Sequence, residues 1–527
     1  MTETSNTSQA RPTRISDVVK LWSECMPDQP ALVETGRAWT YQQLASITTE
    51  TRDWLRGLGI RPGDRVMIVC ENCRSFVAIL LALAEMDAWP VLANARLSGR
   101  EIDQIRDHCG ARLVIYTTSV SAQAREHAHR HGARIRVVAD LGSLGIGPLN
   151  EEIDPEPLEP DPGNRVASVI YTSGTTGLAK GVMLTHRNLL FVAAASAKIR
   201  ALTPADRMYG ILPMSHAVGL SVVLLGSLLS GSVLYLSPRF DPVAALAALN
   251  EDRLTIMLGA PAMFALFVEY AKLKGIRSVE FPSLRIISSS GAPLQPALKS
   301  EVEALFGLPL NNGYGITECS PNIAQTSVEA HRDDTSVGVP LPGIEIRLVG
   351  SDGQPVSEGE IGELWVRGPN VMKGYYRSPQ ETDAVINGEG WFNTRDLARL
   401  KEGNLFIVGR TRELIVRFGY NVYPVEVEAI LNAYPGVARS AVIGRTIEGD
   451  GNEEVVAFVQ ITPGAVVTSD QLTGHAMRHL APYKQPSYIF LVDSMPVTAT
   501  GKVIKFELER LLAKRLTNNP TRPLTTV

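Results

Sequence analysis

The chain has 527 residues, of which 45% are hydrophobic and 20% are charged, as in an ordinary globular protein. Its 51 basic and 55 acidic side chains leave a formal charge of −4, so the charge balance does not point to nucleic acid or an acidic surface as partner. At roughly 150 residues per folding unit, this length predicts about three to four such units.

The amino-terminal stretch MTETSNTSQARPTRISD is polar and lacks the apolar centre of a secretory signal. The five cysteines are an odd number spread through a long chain, which favours reduced thiols over a disulfide framework. Cys70 and Cys73 form a CxxC pattern, but no second ligand pair or thioredoxin-like context accompanies it, so we interpret both as incidental. We therefore expect a cytoplasmic protein.

Two regions, residues 30–140 and 165–350, alternate short β-rich runs with apolar helical patterns. This alternation predicts an α/β fold with crossover helices. The run 219–236 has no charge and is long enough to be considered as a membrane span. Its internal Gly226 and Gly231 and its β-prone end favour a buried helix followed by a buried strand.

Past residue 340, the runs GIEIRLVG, GELWVRG and GNLFIVGR predict a small β-unit. From residue 410 the pattern indicates helix, strand, strand, helix, strand and helix, which is a compact α+β domain of its own. We therefore predict a large α/β domain over 1–409 and a small α+β domain over 410–527.

The stretch YTSGTTGLAKG, residues 171–181, combines five hydroxyl side chains, three glycines and one lysine without a carboxylate. It follows the strand VASVIYT, and a helix after it would direct backbone amides at an anion. We interpret it as a polyphosphate-binding loop, because a solvated turn rarely needs so many donors. It is not a Walker P-loop, since Gly-Lys followed by Ser or Thr is absent. The candidate ligands are Thr172, Ser173, Gly174, Thr175, Thr176, Gly177 and Lys180.

This loop resembles the signature of the acyl-adenylate-forming superfamily, which includes acyl-CoA synthetases, peptide-synthetase adenylation domains and firefly luciferases. Further motifs of the superfamily follow in the expected order: LPMSHAVGL (212–220), SSGAPL (289–294), NGYGITE (312–318), GWFNTRDL (390–397), GRTRELIVRFGYNVYPVEVE (409–428) and PVTATGK (496–502). The resemblance covers nearly the whole chain. It implies an AMP-binding domain followed by a mobile domain that carries a catalytic lysine.

In NGYGITE the resemblance implies that Tyr314, flanked by Gly313 and Gly315, stacks on adenine. It also implies that Thr317 donates to the α-phosphate and that Glu318 binds magnesium (Mg²⁺). The second role suits a carboxylate, because Mg²⁺ prefers hard oxygen ligands and usually shares them with substrate phosphates. Without the motif, a surface turn with a solvated glutamate would be the default interpretation.

The residues expected on the other face of adenine are Gly291, Ala292 and Pro293. A plain turn explains this tripeptide equally well by itself. Asp396 and Arg410 resemble the pair that holds the ribose hydroxyls, although these residue types also form surface ion pairs. Arg395 stands where the superfamily carries the glycine of a TGD motif, which raises the question of whether the turn before Asp396 keeps its geometry.

The resemblance implies that Lys502 reaches the substrate carboxylate and the α-phosphate during adenylation. No general base is needed, because a carboxylic acid is ionised at neutral pH and acts as its own nucleophile. The small domain then rotates about a hinge, here Arg412, where relatives usually carry Asp or Lys. The rotation would bring the loop with Gly419 and Tyr420 to the site for attack by a thiol.

His216 resembles a residue at the wall of the acyl pocket, and we group it with Lys502 and Thr317 as candidate catalytic residues. Acetyl-CoA synthetases carry a tryptophan at the position of Gly315, so the glycine is expected to leave a deeper pocket. We therefore expect a medium- or long-chain fatty acid, or an aromatic or alicyclic acid. The expected lining is His216, Val218, Leu220, Ala260 and Gly315.

Coenzyme A is the expected acceptor, because LAPYKQP (480–486) resembles CoA ligases more than peptide synthetases. The expected cofactors and partners are thus ATP, Mg²⁺, coenzyme A and a small carboxylic acid, with no nucleic acid and no transmembrane segment; a homodimer is left open. A ligase that loads a separate carrier protein and a non-catalytic acyl- or nucleotide-binding relative remain alternatives.

A serine hydrolase would need a G-x-S-x-G elbow, which is absent. His127 and His131 could bind a metal, but a solvated helix is the preferred interpretation.

Overall fold

The computed structural model describes residues 12–172, 180–418, 420–447, 453–498 and 501–518. Its elements up to residue 172 are a 3-10 helix (Ile15–Val19), α1 (Lys20–Cys25), β1 (Pro30–Glu34), β2 (Arg37–Thr40), α2 (Tyr41–Gly57), β3 (Arg65–Cys70), α3 (Arg74–Glu85), β4 (Trp89–Asn94), α4 (Gly99–Cys109), β5 (Leu113–Tyr116), α5 (Ala122–Arg130), β6 (Arg134–Val138), β7 (Gly142–Ile146), a 3-10 helix (Pro162–Asn164) and β8 (Val166–Thr172).

The middle of the chain contains β9 (Lys180–Thr185), α6 (His186–Ile199), β10 (Arg207–Gly210), a π-helix (Val218–Leu225), α7 (Gly226–Leu229), β11 (Val233–Leu236), α8 (Pro242–Glu251), β12 (Ile256–Gly259), α9 (Pro261–Lys274), β13 (Ile286–Ser290), α10 (Pro296–Phe306), β14 (Leu310–Gly315), a 3-10 helix (Thr317–Cys319), β15 (Asn322–Gln325) and β16 (Val339–Pro340).

The remaining elements are β17 (Glu345–Val349), β18 (Gly362–Arg367), β19 (Gly374–Tyr375), α11 (Pro379–Asp383), β20 (Phe392–Lys401), β21 (Asn404–Arg410), a 3-10 helix (Thr411–Glu413), β22 (Ile415–Arg417), β23 (Tyr420–Val422), α12 (Pro424–Asn432), β24 (Val437–Thr446), β25 (Glu453–Ile461), α13 (Ser469–His479), a 3-10 helix (Pro482–Lys484), β26 (Tyr488–Val492) and α14 (Lys505–Asn518).

Two large mixed sheets, each with a parallel centre and antiparallel edges, form the first part of the protein. Their strand orders are β16-β15-β14-β13-β12-β10-β11-β1-β2 and β19-β9-β8-β4-β3-β5-β7-β6. One buried cluster joins them, with Ile68 of β3, Ile256 of β12 and Leu80 of α3 all inside it. Strand β3, RVMIVC, is buried along its whole length, as expected for a parallel strand that is covered on both faces.

The uncharged run 219–236 folds as predicted into buried helical turns followed by the strand β11. None of the helices in the described part of the chain is both long and apolar enough to cross a bilayer. The small β-unit is the antiparallel sheet β17-β18-β20-β21. Its last hairpin, β20–β21, leads into the C-terminal domain.

From α12 onward the C-terminal domain has the predicted order of helices and strands around the sheet β24-β25-β26, and the hairpin β22–β23 before α12 was not predicted. The two faces of β25 are covered by different helices because successive side chains of a strand point in opposite directions. Val455 and Val459 belong to a core with α12 and α13, whereas Val456 and Phe458 belong to a core with α14. The predicted fold class, a large α/β domain with a small β-unit and a small α+β domain, is confirmed.

Candidate active site

The predicted phosphate loop joins β8 to β9, which pair as an antiparallel hairpin with Thr172 opposite Lys180. The expectation of a helix directly after the loop is wrong, because the strand β9 comes first and α6 begins at His186. The loop therefore gains no helix terminus, and the polyphosphate hypothesis depends on its hydroxyls, glycines and lysine. The predicted ligands outside the described residues are Ser173, Gly174, Thr175, Thr176 and Gly177.

Lys180 is held by two side chains that the sequence did not connect with it. Its Nζ lies 2.6 Å from Oε1 of Glu381 in α11. The same ammonium lies 5.1 Å from the ring centroid of Tyr375 in β19. The phosphate-loop lysine is thus already paired with an acidic and an aromatic side chain.

The predicted adenine residues meet at the carboxyl ends of two neighbouring parallel strands. Ser290, the last residue of β13, pairs with Gly313 in β14. Gly291, Ala292 and Pro293 follow β13 directly and are exposed or half-buried there. This register places the tripeptide beside Tyr314, as a flat ligand held between the two segments would require.

Tyr314, Asp396 and Arg410 form one hydrogen-bonded group. The Tyr314 hydroxyl donates to Oδ2 of Asp396, and Arg410 Nε donates to Oδ1 at 3.0 Å. Burial and the charge of Asp396 raise the pKa of Tyr314 well above its ordinary value, so the tyrosine stays a neutral donor. Burial opposes the charge on Arg410, but Asp396 and then Glu413 outweigh it and raise the pKa of the guanidinium.

Arg395 adopts a backbone conformation that usually requires glycine. Its φ is 57°, in the left-handed region that favours glycine. Its N–H donates to Asn393 Oδ1 at 2.8 Å, and the next N–H, of Asp396, donates to Thr394 Oγ1 at 3.1 Å. The turn before Asp396 is therefore hydrogen-bonded, with some backbone strain at the arginine.

Glu318 and Thr317 lie in the 3-10 helix that follows β14. Oε1 of Glu318 accepts a hydrogen bond of 3.0 Å from the Tyr375 hydroxyl. Burial raises the pKa of the Glu318 carboxyl, so a nearby cation would stabilise its ionised form. A half-buried carboxylate of this kind fits a magnesium ligand that shares the ion with phosphate oxygens.

Lys502 lies within electrostatic range of Asp396 and Arg410. Its N–H donates to Thr498 Oγ1 at 3.2 Å, and an added Cβ at Gly501 would lie 2.7 Å from the Ala262 side chain. The lysine loop therefore packs closely on the start of α9. Lys502 is exposed at this cleft, yet the surrounding protein and then the charge of Arg410 lower the pKa of its ammonium to about 8.

The residue that follows the predicted hinge, Glu413, forms an ion pair with the start of helix α14. Arg412 is exposed in the 3-10 helix after β21. Next to it, Glu413 pairs at 2.8 Å with Lys505, which also pairs with Glu428 of α12 at 3.1 Å. This network links the hinge segment to the helix three residues beyond Lys502 and was not predicted from the sequence.

On the expected CoA side, Gly419 lies outside the described residues. Tyr420 is exposed, and its ring stacks on Tyr483 with centroids 4.6 Å apart and an interplanar angle of 24°. Tyr483 belongs to the LAPYKQP segment that indicated a CoA ligase. The two motifs are therefore neighbours on one face of the small domain.

The predicted acyl-pocket residues differ in burial. Leu220 and Ala260 are buried, while His216 and Val218 are half-buried. His216 Nε2 is buried without a hydrogen-bond partner among the described residues. Burial, followed by the charge of Arg96, lowers the pKa of His216 to about 4, so its imidazole is neutral at physiological pH.

The packing of the backbone around Gly315 explains why this position is a glycine, which the sequence alone did not reveal. A Cβ at this position would lie 2.2 Å from the carbonyl oxygen of Pro321. The same carbonyl accepts a hydrogen bond of 3.0 Å from the Ile316 N–H. The backbone contact itself requires glycine, so Gly315 alone does not indicate a deep acyl pocket.

His127 and His131 do not lie on a solvated helix face, and that interpretation is wrong. His127 is buried, and its Nε2 lies 3.1 Å from the carbonyl oxygens of Ala95 and Leu97. His131 follows the helix, with Nδ1 at 2.5 Å from the Tyr116 hydroxyl and Nε2 at 2.8 Å from an Asp103 oxygen. These contacts give both rings a packing role.

Comparison with known proteins places this arrangement in a family. The AMP-binding enzyme pattern matches residues 19–376, and the AMP-binding enzyme C-terminal domain pattern matches residues 426–502. The chain belongs to the AMP-binding enzyme family.

Several of the relatives are named as acid–CoA ligases. Feruloyl-CoA synthase from Amycolatopsis sp. is 34% identical, over 92% of this chain and 96% of that protein. Long-chain-fatty-acid–CoA ligase from Yersinia pestis is 30% identical, over 94% of each chain. These relatives and the family together support an AMP-forming ligase that joins an acid to CoA, without specifying the acid.

Among solved structures, o-succinylbenzoate CoA synthetase from Bacillus subtilis, in complex with ATP and magnesium ion, is 29% identical. The two structures share a TM-score of 0.80, over 94% of this chain and 99% of that one. ATP, Mg²⁺ and coenzyme A are the usual substrates and cofactor of AMP-binding CoA ligases.

Proposed function

We propose that the protein activates a carboxylic acid as an acyl-adenylate, releasing pyrophosphate, and then transfers the acyl group to coenzyme A. The observation that carries this proposal is the position of Lys502 within electrostatic range of Asp396 and Arg410. Two anions, the acid and the triphosphate, must meet during adenylation, and a cation at this point reduces their repulsion.

In the first step, a carboxylate oxygen of the acid attacks the α-phosphorus of ATP, and the bond to the β-phosphate oxygen breaks with loss of pyrophosphate. Lys502 stabilises the charge that builds up, and Thr317 donates to the α-phosphate. Asp396 accepts from a ribose hydroxyl, and Arg410 keeps that carboxylate oriented. Glu318 would hold Mg²⁺, which when bound supplies positive charge to the triphosphate oxygens.

In the second step, the CoA thiol loses its proton and attacks the acyl carbon, and AMP leaves. Rotation about Arg412 would withdraw Lys502 and bring the Tyr420 face to the cleft. The exposed Tyr420–Tyr483 stack supports this proposal, because a hydrophobic face left open in one arrangement can be covered in the other. We therefore propose that the rotating small domain spans residues 410–527 and the large domain spans residues 1–409.

The acid we propose is a medium- or long-chain fatty acid or an aromatic acid. The apolar Leu220 and Ala260 and the neutral imidazole of His216 support an uncharged pocket. The names of the relatives, which include a feruloyl-CoA synthase and a long-chain-fatty-acid–CoA ligase, cover both classes. The cytoplasmic location stays a prediction.

The test is ATP–pyrophosphate exchange over a panel of fatty, aromatic and short-chain acids, followed by the same panel with CoA. We expect acid-dependent exchange and a CoA thioester with the best acid. Exchange without thioester would favour loading of a carrier protein instead. Absence of exchange with every acid would favour the non-catalytic binding protein.

A further inference from the structure

Lys180 is enclosed by a segment that the proposed function does not use. Strand β19 pairs with β9, so that Tyr375 lies opposite Val182, two residues after Lys180. The chain then turns into the short helix α11, where Thr382 Oγ1 accepts from the Tyr375 N–H at 2.9 Å. This local fold brings the Tyr375 ring and the Glu381 carboxylate to the same ammonium.

The contacts of Lys180 are those of a cation that already has a counter-ion. Glu381 Oε1 lies 2.6 Å from Nζ, and the lysine and glutamate side chains are 22% and 39% exposed. The Tyr375 ring covers another side of the ammonium at 5.1 Å. An approaching phosphate oxygen would therefore compete with the carboxylate for the N–H donors of Nζ.

Tyr375 also contacts the predicted magnesium ligand. Its ring touches Lys180, and its hydroxyl donates to Glu318 Oε1 at 3.0 Å. One side chain thus connects the residues proposed to bind the triphosphate and the metal. Its rotamer is supported by the β19–β9 pairing and by the bond from its N–H to Thr382.

We propose that the Glu381 carboxylate competes with the ATP triphosphate for Lys180. Tyr375 is a positioning residue that holds the side chains of Lys180 and Glu318 in fixed relative positions. This inference rests on the proposed function, because it assigns the triphosphate to Lys180. A partly exposed ion pair contributes little net stability, so exchange of one carboxylate for a polyanion is energetically accessible. The competition favours ligands with several negative charges over those with one.

The first experiment measures equilibrium binding of ATP with Mg²⁺ to the full chain, without acid or CoA. The variants are Glu381→Gln, Glu381→Ala and, as matched control, Glu389→Gln at an exposed glutamate. Removal of the competing charge should tighten ATP binding by about two- to fivefold, a change expected for a partly exposed ion pair. The control should bind as the wild type does.

Two outcomes would overturn the role of Glu381. Unchanged ATP affinity in both Glu381 variants would show that the pair does not compete. Weaker ATP binding together with a lower unfolding midpoint would show that the pair fastens α11 to β9 instead. Wild-type protein that shows no exchange with any acid would contradict the proposed function, whereas wild-type exchange with unaltered variants would contradict this inference only.

The second experiment compares Tyr375→Phe with Tyr376→Phe, whose hydroxyl donates to Glu156 at 2.6 Å. Loss of the Tyr375 hydroxyl should raise the Mg²⁺ concentration that gives half-maximal equilibrium binding of ATP, and that for half-maximal exchange, by about three- to tenfold, the usual effect of one lost hydrogen bond. The acid KM should stay constant, and Tyr376→Phe should leave the Mg²⁺ requirement unchanged. Equal Mg²⁺ requirements in both variants would contradict the positioning role.

Discussion

Asp396 and Arg410 face each other across the β20–β21 hairpin, and Arg410 Nε donates to Asp396 Oδ1 at 3.0 Å. The hydroxyl of Tyr314 donates to the other carboxylate oxygen. The two strands thus present an oriented acceptor at the point where the large domain meets the small one. Lys502 lies close enough for the charges of Asp396 and Arg410 to change the pKa of its ammonium.

Asp396→Asn should weaken ATP use rather than acid use. The substitution removes a charged acceptor and leaves Arg410 without its carboxylate, a loss of about 1.5–3 kcal/mol or roughly 10- to 100-fold in kcat/KM for ATP. Exchange kinetics with ATP as the varied substrate provide the measurement. Asp352→Asn, in an exposed turn, serves as control. A variant with wild-type kcat/KM for ATP would contradict the ribose role.

Adenylation should decline at alkaline pH because of Lys502. Although its side chain is exposed, the surrounding protein and then the charge of Arg410 lower the pKa of its ammonium to about 8, so the lysine is charged below that pH and neutral above it. The pH profile of kcat/KM for ATP reports groups of the free enzyme and should fall above pH 8. Lys502→Arg keeps its charge and should remove this fall. Activity that stays constant to about pH 10, near the ordinary lysine pKa, would contradict the assignment.

Arg395→Gly should stabilise the protein while leaving adenylation unchanged. The arginine has a φ of 57°, where a side chain costs roughly 1–2 kcal/mol, partly offset by the larger entropy of glycine in the unfolded chain. We expect a net gain of up to about 1 kcal/mol in the free energy of unfolding, measured by urea denaturation. Arg399→Gly in the same strand is the control and should destabilise, since it has no left-handed φ to relieve.

Acid should destabilise the fold through His186. This residue is fully buried, its Nδ1 accepts from the Ile15 N–H at 3.2 Å, and burial lowers its pKa to about 4. Between the unfolded value near 6.5 and about 4, the unfolded chain binds a proton that the folded chain excludes. Stability should therefore fall as pH decreases, by up to about 1.4 kcal/mol per pH unit for this group.

The measurement for His186 is urea unfolding at a series of pH values between neutrality and pH 5. His186→Asn keeps an acceptor for Ile15 and should show a smaller loss of stability over that interval. His216, whose pKa is also lowered to about 4, contributes equally in both proteins and cancels in the comparison. Identical pH dependence in the variant and the wild type would refute the account of His186.

The fold could be predicted where one pattern determines an element. The helices and strands from α12 to α14 follow directly from periodicity, and the uncharged run 219–236 was correctly interpreted as helix then strand. The expectation of a helix after the phosphate loop was wrong, because KGVMLT forms a strand that pairs with β8. This pairing depends on contacts with the rest of the fold, which the loop residues do not determine.

Residues of the candidate site could be predicted only where they belong to a recognised sequence motif. Lys502, Asp396 and Arg410 were found by resemblance, and the structure brings them together. Tyr375 and Glu381 were missed because their contact with Lys180 depends on the pairing of strands almost 200 residues apart. A single sequence contains no signal for such a contact.

The most direct test of the account separates the two half-reactions in Lys502→Ala. Losing one positioned charge should reduce acid-dependent adenylation by about 10²–10³-fold, while thioester formation from supplied acyl-adenylate and CoA stays near the wild-type rate. Lys514→Ala, exposed on α14, should change neither rate. Equal losses in both half-reactions, or adenylation at the wild-type rate, would contradict the claim that Lys502 serves the first step.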